Sequence, residues 1–326
     1  MRRSLRSIAS AALAVASLCG VSRPAAHAQH YPTRPIHILV GFGPGSIADV
    51  VARVVGKRIA EKFGQPVVVE DRPGNGSMTA AETVARAPND GYLLFMGTVA
   101  QTINPAFTHS NFDLRKALAP VALLGVVPNV LAAHPSVAAN NVRELVALAN
   151  RTPDALTFGT SGAGTASHLA AELFNIEAGT KILPVHYAGG SNQVLVDLLA
   201  GRITLAFNVA STLAPQVAKG NLRALGVAQP KRAAIMPDVP TMEEQGMPGF
   251  DAGIWIGLLA PAGTPQSIVD ALSRAASDAL TAGDVTTAFA AQGIERRGGT
   301  AEDFRGFIAA DAERWTNVVS SAGLGN

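Results

Sequence analysis

Ile36-His37-Ile38-Leu39-Val40-Gly41-Phe42-Gly43-Pro44-Gly45-Ser46 is five β-favouring residues followed at once by a glycine-rich turn. Behind it, Asp49 to Phe63 places Val51, Val54, Val55, Ile59 and Phe63 at helical spacing, and Gly64 stands where a helix ends in a left-handed residue. Pro66-Val67-Val68-Val69-Glu70 is then a second strand. Strand, turn, helix and strand in that order predict parallel strands with helices on both faces, hence an α/β fold.

The same alternation extends in both directions. A helix over Thr79–Ala87 and a strand over Tyr92–Met96 complete a first series. A second opens with the strand Asn129–Ala133 and the helix Val142–Asn150. Thr157-Phe158 is a strand, Thr160-Ser161-Gly162-Ala163-Gly164-Thr165 a second glycine turn, and Ser167–Ala178 its helix. Ile182–Val185, a helix over Gln193–Ala200 and the strand Ile203–Asn208 follow. The last block has the strand Ile254–Leu259 and helices over Gln266–Ala282 and Ala301–Ser320, the latter opened by a Thr300/Asp303 capping pair. Between Ala117 and Val142 there is no charge, but Pro120, Pro128, Asn129, Pro135, Asn140 and Asn141 predict short strands and turns rather than a membrane span.

Composition agrees with a packed, folded chain. Of 326 residues, 48% are apolar and 15% charged, and the length suits two lobes. The N-terminus runs from Arg2, Arg3 and Arg6 through an uncharged stretch, Ile8 to Val21, to Ala26-His27-Ala28, the three parts of a cleavable export signal. That segment also holds Arg23 and the one cysteine, Cys19. Removing its four arginines from 26 basic residues leaves 22 against 24 acidic ones. A near-neutral chain without a polybasic run has no electrostatic reason to coat nucleic acid. The mature chain is expected to carry no thiol chemistry, no cofactor and no metal, since the histidines show no ligand spacing.

A glycine turn between strand and helix aims unpaired N–H groups at the positive end of a helix dipole, so it can hold an anion without a charged side chain. It can equally be a tight connection and nothing more. Gly41-x-Gly43-x-x-Ser46 with Glu70 approaches a dinucleotide fingerprint, but Pro44 interrupts it. Gly159-x-Ser161 approaches a hydrolase elbow, but Ala163 closes it. His168 reads first as a partly buried imidazole bonded to backbone, and Asp49 as a helix cap. Trp255 and Phe250 read as core or hinge packing.

A set of spaced motifs narrows these readings. Tyr31-Pro32-x-x-Pro35-Ile36, Phe42 with Gly45, and Asp49-x-x-Ala52-Arg53 come first. Val69-Glu70-x-Arg72-Pro73-Gly74-x-Gly76, Pro88-x-Asp90-Gly91-Tyr92, Asn104-Pro105 and Ser161-Gly162-x-Gly164-Thr165 with His168-Leu169 follow. Asp197-Leu198-Leu199-x-Gly201, Pro237-Asp238-x-Pro240-Thr241 and Trp255-x-Gly257-Leu258-x-Ala260-Pro261-Ala262-Gly263-Thr264-Pro265 complete the series. In this order they resemble the periplasmic receptors of the tripartite tricarboxylate transporters, the Bug family.

The resemblance implies a two-lobed α/β periplasmic binding protein of the Venus flytrap type, with a parallel-rich sheet in each lobe and the ligand cleft between them. The lobes are expected at 29–128 plus 251–326 and at 129–250, behind a signal peptide of residues 1–28. It implies a monomeric periplasmic receptor, not an enzyme, that delivers a small organic carboxylate to membrane permease subunits. A ligand sensor for a signalling partner, or a secreted hydrolase using Ser161, are the alternatives. Carried over, the ligand-binding residues are Phe42, Gly43, Pro44, Gly45, Ser46 and Asp49 on the first turn, with Thr98, Val99, Ala100 and Gln101 beside it. On the second lobe they are Thr160, Ser161, Gly162, Ala163, Gly164, Thr165, His168 and Asn208.

The chain also departs from the family. Ser46-Ile47-Ala48 stands where G-S-T is usual, and Val185-His186-Tyr187-Ala188-Gly189 where V-P-Y-K-G is usual. Asn208 replaces an aspartate. With Ile47, Ala48, Val99 and Ala100 nearby, these changes predict a mono- or dicarboxylate with an apolar or aromatic body, ahead of citrate or an amino acid.

Overall fold

The computed structural model describes residues 31–108, 111–152, 155–187 and 190–324. The export signal, Cys19, Ala188 and Gly189 lie outside the described residues. The elements are β1 (Ile36–Val40), α1 (Ile47–Phe63), β2 (Val67–Asp71), a 3-10 turn (Asn75–Ser77), α2 (Met78–Ala85), β3 (Leu93–Thr98), α3 (Ala100–Thr108), α4 (Leu114–Ala117), β4 (Leu118–Val127) and β5 (Asn129–Ala133). Next come α5 (Val142–Arg151), β6 (Thr157–Thr160), α6 (Ala166–Ala178), β7 (Leu183–His186), α7 (Gly190–Leu199), β8 (Leu205–Val209), α8 (Ala210–Ala218) and β9 (Arg223–Val227). The chain ends with a 3-10 turn (Glu243–Gln245), β10 (Ile254–Pro261), α9 (Gln266–Ala279), α10 (Gly283–Ala291), β11 (Glu295–Arg296) and α11 (Ala301–Ser321).

Two mixed sheets make the two-lobed fold. The first has the order β11-β4-β10-β3-β1-β2, the second β7-β6-β8-β5-β9. In the first, β1 is parallel to β2 and β3, while β10 runs antiparallel between β3 and β4. In the second, β6 is parallel to β7 and β8, and β5 runs antiparallel between β8 and β9. Four strands of each sheet therefore point one way, the majority that βαβ units produce.

The first sheet takes its strands from 36–127 and 254–296, the second from 129–227. Only Pro128 separates β4 from β5. Here the crossing backbones are stitched together: Ala228 N donates to Asn129 O (2.8 Å), and Ala252 N donates to Ala228 O (2.9 Å). The Asn129 amide donates to Ala252 O (3.3 Å) and the Gln229 amide to Val127 O (3.4 Å).

Several elements differ from the sequence expectation for identifiable reasons. Residues 118–127 form one ten-residue strand instead of short pieces. Its Pro120 is tolerated because it pairs with Leu259 where the β10–β4 register shifts, so the missing N–H coincides with a break in the ladder. The helices α3 and α8 contain Pro105 and Pro215, which disguise them. The expected helix over 266–282 stops at Ala279, and α10 begins separately after Leu280–Ala282. Other details hold: Gly64 ends α1 in the left-handed region, and Thr300 with Asp303 forms a capping box on α11.

The core joins the lobes instead of stopping between them. Phe158, Phe174, Phe207 and Phe250 pack ring on ring, and Trp255 meets Phe304 edge-on. The long helix α11 lies on β4 and α3 and also reaches α6. One carboxylate ties it down. Asp311, 4% exposed, accepts from Thr102 Oγ1 (2.6 Å) and Trp255 Nε1 (2.8 Å) on one oxygen. Its other oxygen accepts from Trp315 Nε1 (3.1 Å) and Arg314 Nη2 (2.6 Å). Arg314 also donates to the carbonyl of Asp251 in the return crossing. No helix among the described residues is long and apolar enough to cross a membrane.

Removing the Asp311 carboxylate leaves two indole N–H groups without their acceptor and takes one of two acceptors from the Thr102 hydroxyl and from the Arg314 guanidinium. Asp311→Ala should lower stability by about 3–5 kcal/mol, seen in urea unfolding as a lower midpoint at unchanged slope. Thr102→Val, which loses the hydroxyl's bonds to Asp311 and to the Val99 carbonyl, should lose about 1–2 kcal/mol.

Candidate ligand-binding site

Sheet order alone selects one edge of each lobe. From β1 the chain passes to β2 on one side, and from β3 it leaves on the other, so the ends of β1 and β3 flank a topological switch point. In the second sheet β6 is followed by β7 on one side, with β8 on its other side. Crevices at the carboxyl ends of such strand pairs are where α/β proteins bind ligands, because diverging helices leave an opening there. Each of the four strands runs within a few residues into a helix: β1 into α1, β3 into α3, β6 into α6, β8 into α8. The helices α3 and α6 touch, which brings one turn from each lobe side by side.

On the first turn Ser46 caps α1, accepting from Asp49 N (3.3 Å). Asp49 is 4% exposed, and its Oδ2 accepts from Gly45 N (2.9 Å). The turn closes through Ser46 N to Gly43 O (3.2 Å). The amides of Gly45 and Ser46 are thus committed inside the turn, and the first-turn N–H groups of Ile47 and Ala48 remain outside that network. Asp49 Oδ1 lies 2.6 Å from Arg53 Nε without hydrogen-bond geometry, and Arg53 reaches Asp71 at 3.0 Å. Burial, then the Asp49 charge, pushes the Asp71 carboxyl above its ordinary value. An external anion therefore meets the helix dipole here, not a free cation.

Beside it, Thr98 N donates to Gln101 Oε1 (2.9 Å) and Ala100 N donates to Thr98 Oγ1 (3.3 Å), a reciprocal cap on α3. Gln101 is fully buried and its amide nitrogen has no hydrogen-bond partner. Ser77, 1% exposed at φ 75°, likewise has an unpartnered hydroxyl. The side chains of Ala48 and Val99 are buried at 1% exposure, and Val99 belongs to the core, so the apolar contact expected of them is turned inward. Ile47 and Ala100 are part-exposed.

The second turn is tied in the same manner. Ser161 N donates to Ser167 Oγ (2.9 Å), Gly164 N donates to His168 Nδ1 (3.1 Å), and Thr165 Oγ1 donates to Gly162 O (2.7 Å). His168 is 2% exposed and backbone-bonded. Ser161 Oγ lies 3.0 Å from Ser167 Oγ, so its hydrogen-bonding neighbour is a hydroxyl and not an imidazole base. His186, absent from the residues carried over from the family, meets Thr160 Oγ1 at 2.6 Å and stands edge-on to His168. Asn208, near the end of β8, uses its Oδ1 to accept from Val209 N (2.8 Å). Glu70, the candidate ribose ligand, is engaged by His37 (2.7 Å). Cavities of about 240 Å3 and 730 Å3 lie elsewhere, beside the crossing segments and lined by Gln229, Lys231 and Glu295. Among the described residues no cluster of His, Cys, Asp or Glu could hold a metal ion.

Two glycines of the first turn are structural requirements of different kinds. Gly45 has φ 77° with open space around it, so Gly45→Ala should lose about 1–2 kcal/mol through backbone strain alone. At Gly41 a Cβ would fall 2.7 Å from the Ser77 backbone, so Gly41→Ala should be the more damaging of the two. Parallel denaturant melts check the ranking.

Comparison with known proteins places the chain in a family. Residues 51–324 match the tripartite tricarboxylate transporter family receptor. Protein BugT of Bordetella pertussis is 34% identical over 93% of this chain and 94% of its own. A protein encoded between tcbD and tcbE in Pseudomonas sp. strain P51 is 33% identical over 89% of this chain and 86% of its own. Among solved structures, a Rhodopseudomonas palustris protein with adipate has a TM-score of 0.81 at 32% identity, covering 90% of this chain and 98% of its own. MatC from the same organism, with bound malate, has a TM-score of 0.79 at 29% identity, covering 89% and 99%. The chain belongs to the receptor family of the tripartite tricarboxylate transporters, whose members are periplasmic solute-binding proteins and not enzymes.

Proposed function

We propose that the protein captures a small organic carboxylate between the Phe42–Asp49 and Thr160–Thr165 turns and delivers it to a tripartite transporter permease. The observation that carries this is the pair of switch points, each flanked by strands that run into helix N-termini. Relatives with adipate and malate support the ligand class. Each helix dipole favours an anion by roughly 0.3–1 kcal/mol, up to ~2 where partly buried. With several turn amides bound internally, the ligand donors are the first-turn N–H groups of α1 and α6, together with Thr98, Gln101 and the Thr160 side. We place the lobe boundaries at Pro128 and near Phe250, where the chain passes between the sheets.

The ligand is a mono- or dicarboxylate with a largely apolar body. The side chains of Ile47 and Ala100 offer it no hydrogen bond, and Asn208 places no negative charge to attract an ammonium group. A tricarboxylate would bury more negative charge than two helix N-termini offset. Calorimetry should find adipate or a benzoate-type acid bound at least tenfold more tightly than citrate or aspartate. Micromolar binding of citrate or aspartate, with no response to the less polar acids, would contradict the assignment. Ile47→Asp, which sets a negative charge at the N-terminus of α1, should weaken every acid by tenfold or more.

A further inference from the structure

His186 ends β7, next in the sheet to the strand whose last residue, Thr160, opens the second glycine turn. Its Nδ1 is 2.6 Å from Thr160 Oγ1, and its ring stands edge-on to His168 at 4.6 Å between centroids. The two imidazoles differ in what they can do. His168 is buried, its Nδ1 accepts from Gly164 N, and its Nε2 faces Glu172 at 3.6 Å. A proton on that Nδ1 would break the turn it supports. His186 is exposed, and its bond to a hydroxyl survives protonation because Thr160 Oγ1 can donate or accept.

We propose that His186 takes up a proton when a carboxylate binds at the Thr160–Thr165 turn, so that ligand capture by this receptor is proton-linked and His186 is a specificity-determining cation of the site. The proposal rests on the carboxylate reading above. The groups facing His186 are few: α6 brings His168 and Glu172, β6 brings the uncharged Thr160, and the adjacent Tyr187 is held by Asp197 at 2.9 Å. Partial burial of the ring holds the His186 imidazole below its ordinary value, which disfavours its charged form until an anion binds. A carboxylate within about 4–6 Å favours the charged imidazole. The sign follows. The bound form holds the proton more tightly, so affinity is gained as pH falls from 7.5 towards 5.5 and is lost as pH rises through the imidazole's value in the complex. One linked proton limits the gain to tenfold per pH unit.

The test is calorimetric titration of adipate and of malate at pH 5.5, 6.5 and 7.5, in buffers of different ionisation enthalpy, with wild type and His186→Asn. Asparagine keeps a partner for Thr160 without a titratable ring, and circular dichroism checks that it folds. Wild type should take up between half a proton and one proton per ligand at pH 6.5 and bind three- to tenfold more tightly per unit of pH decrease. His186→Asn should bind with no proton uptake and no such slope. Binding without proton uptake, or uptake that persists in His186→Asn, overturns the proposal and leaves the receptor reading standing. No binding of any acid at any pH overturns both.

Discussion

The first turn of an α-helix carries N–H groups that its own backbone cannot satisfy, and the site is arranged around where those groups go. In α1 one of these groups, Asp49 N, is met by Ser46, whereas Asp49, Ser167 and His168 accept from amides of the preceding turns, Gly45, Ser161 and Gly164, and α6 has no side-chain cap. What is left points along two helix dipoles at the open ends of two sheets. A binding site built in this way needs no lysine or arginine, and Arg53 beside it is already shared between Asp49 and Asp71. Selectivity then falls to the groups around the turns, which is why Ile47, His186 and Asn208 carry so much of the proposed specificity.

The surrounding architecture serves to hold these turns in register. Parallel pairing of β1 with β3 and of β6 with β8 fixes two adjacent strand ends per lobe. The return through β10 and β5, antiparallel in each sheet, brings the chain across at a narrow neck of backbone hydrogen bonds around Asn129, Ala228 and Ala252. Asp311 anchors α11 to α3 and β10 beside that neck. Because α11 packs on α3 and also reaches α6, it links the helices that follow β3 and β6.

Much of this was legible in the residues. β1 and β5 fall where alternation and β-branching place them, and the cap of α11 is spelled out by Thr300 and Asp303. The two glycine turns are visible because strand, glycine and helix periodicity abut without a linker. Other parts were hidden by physics that is not local. β4 survives Pro120 only because a register shift in β10 absorbs the missing donor, which a single strand's sequence cannot reveal. The proline-bearing helices α3 and α8 resemble loops until tertiary packing is known. The commitment of Gly45 and Gly164 amides to Asp49 and His168 depends on rotamers, and the contact between His186 and Thr160 depends on β7 pairing with β6.

The central claim is that a carboxylate is held by helix first turns from both lobes at the two switch points. A crystal structure of the protein soaked or grown with adipate tests it most directly. The account predicts adipate with carboxylate oxygens within hydrogen-bonding distance of both the Ile47–Ala48 amides and the Thr160–Thr165 turn, and with its apolar chain against Ile47. Adipate seated instead in the cavities beside Gln229 and Lys231, away from both turns, would contradict it.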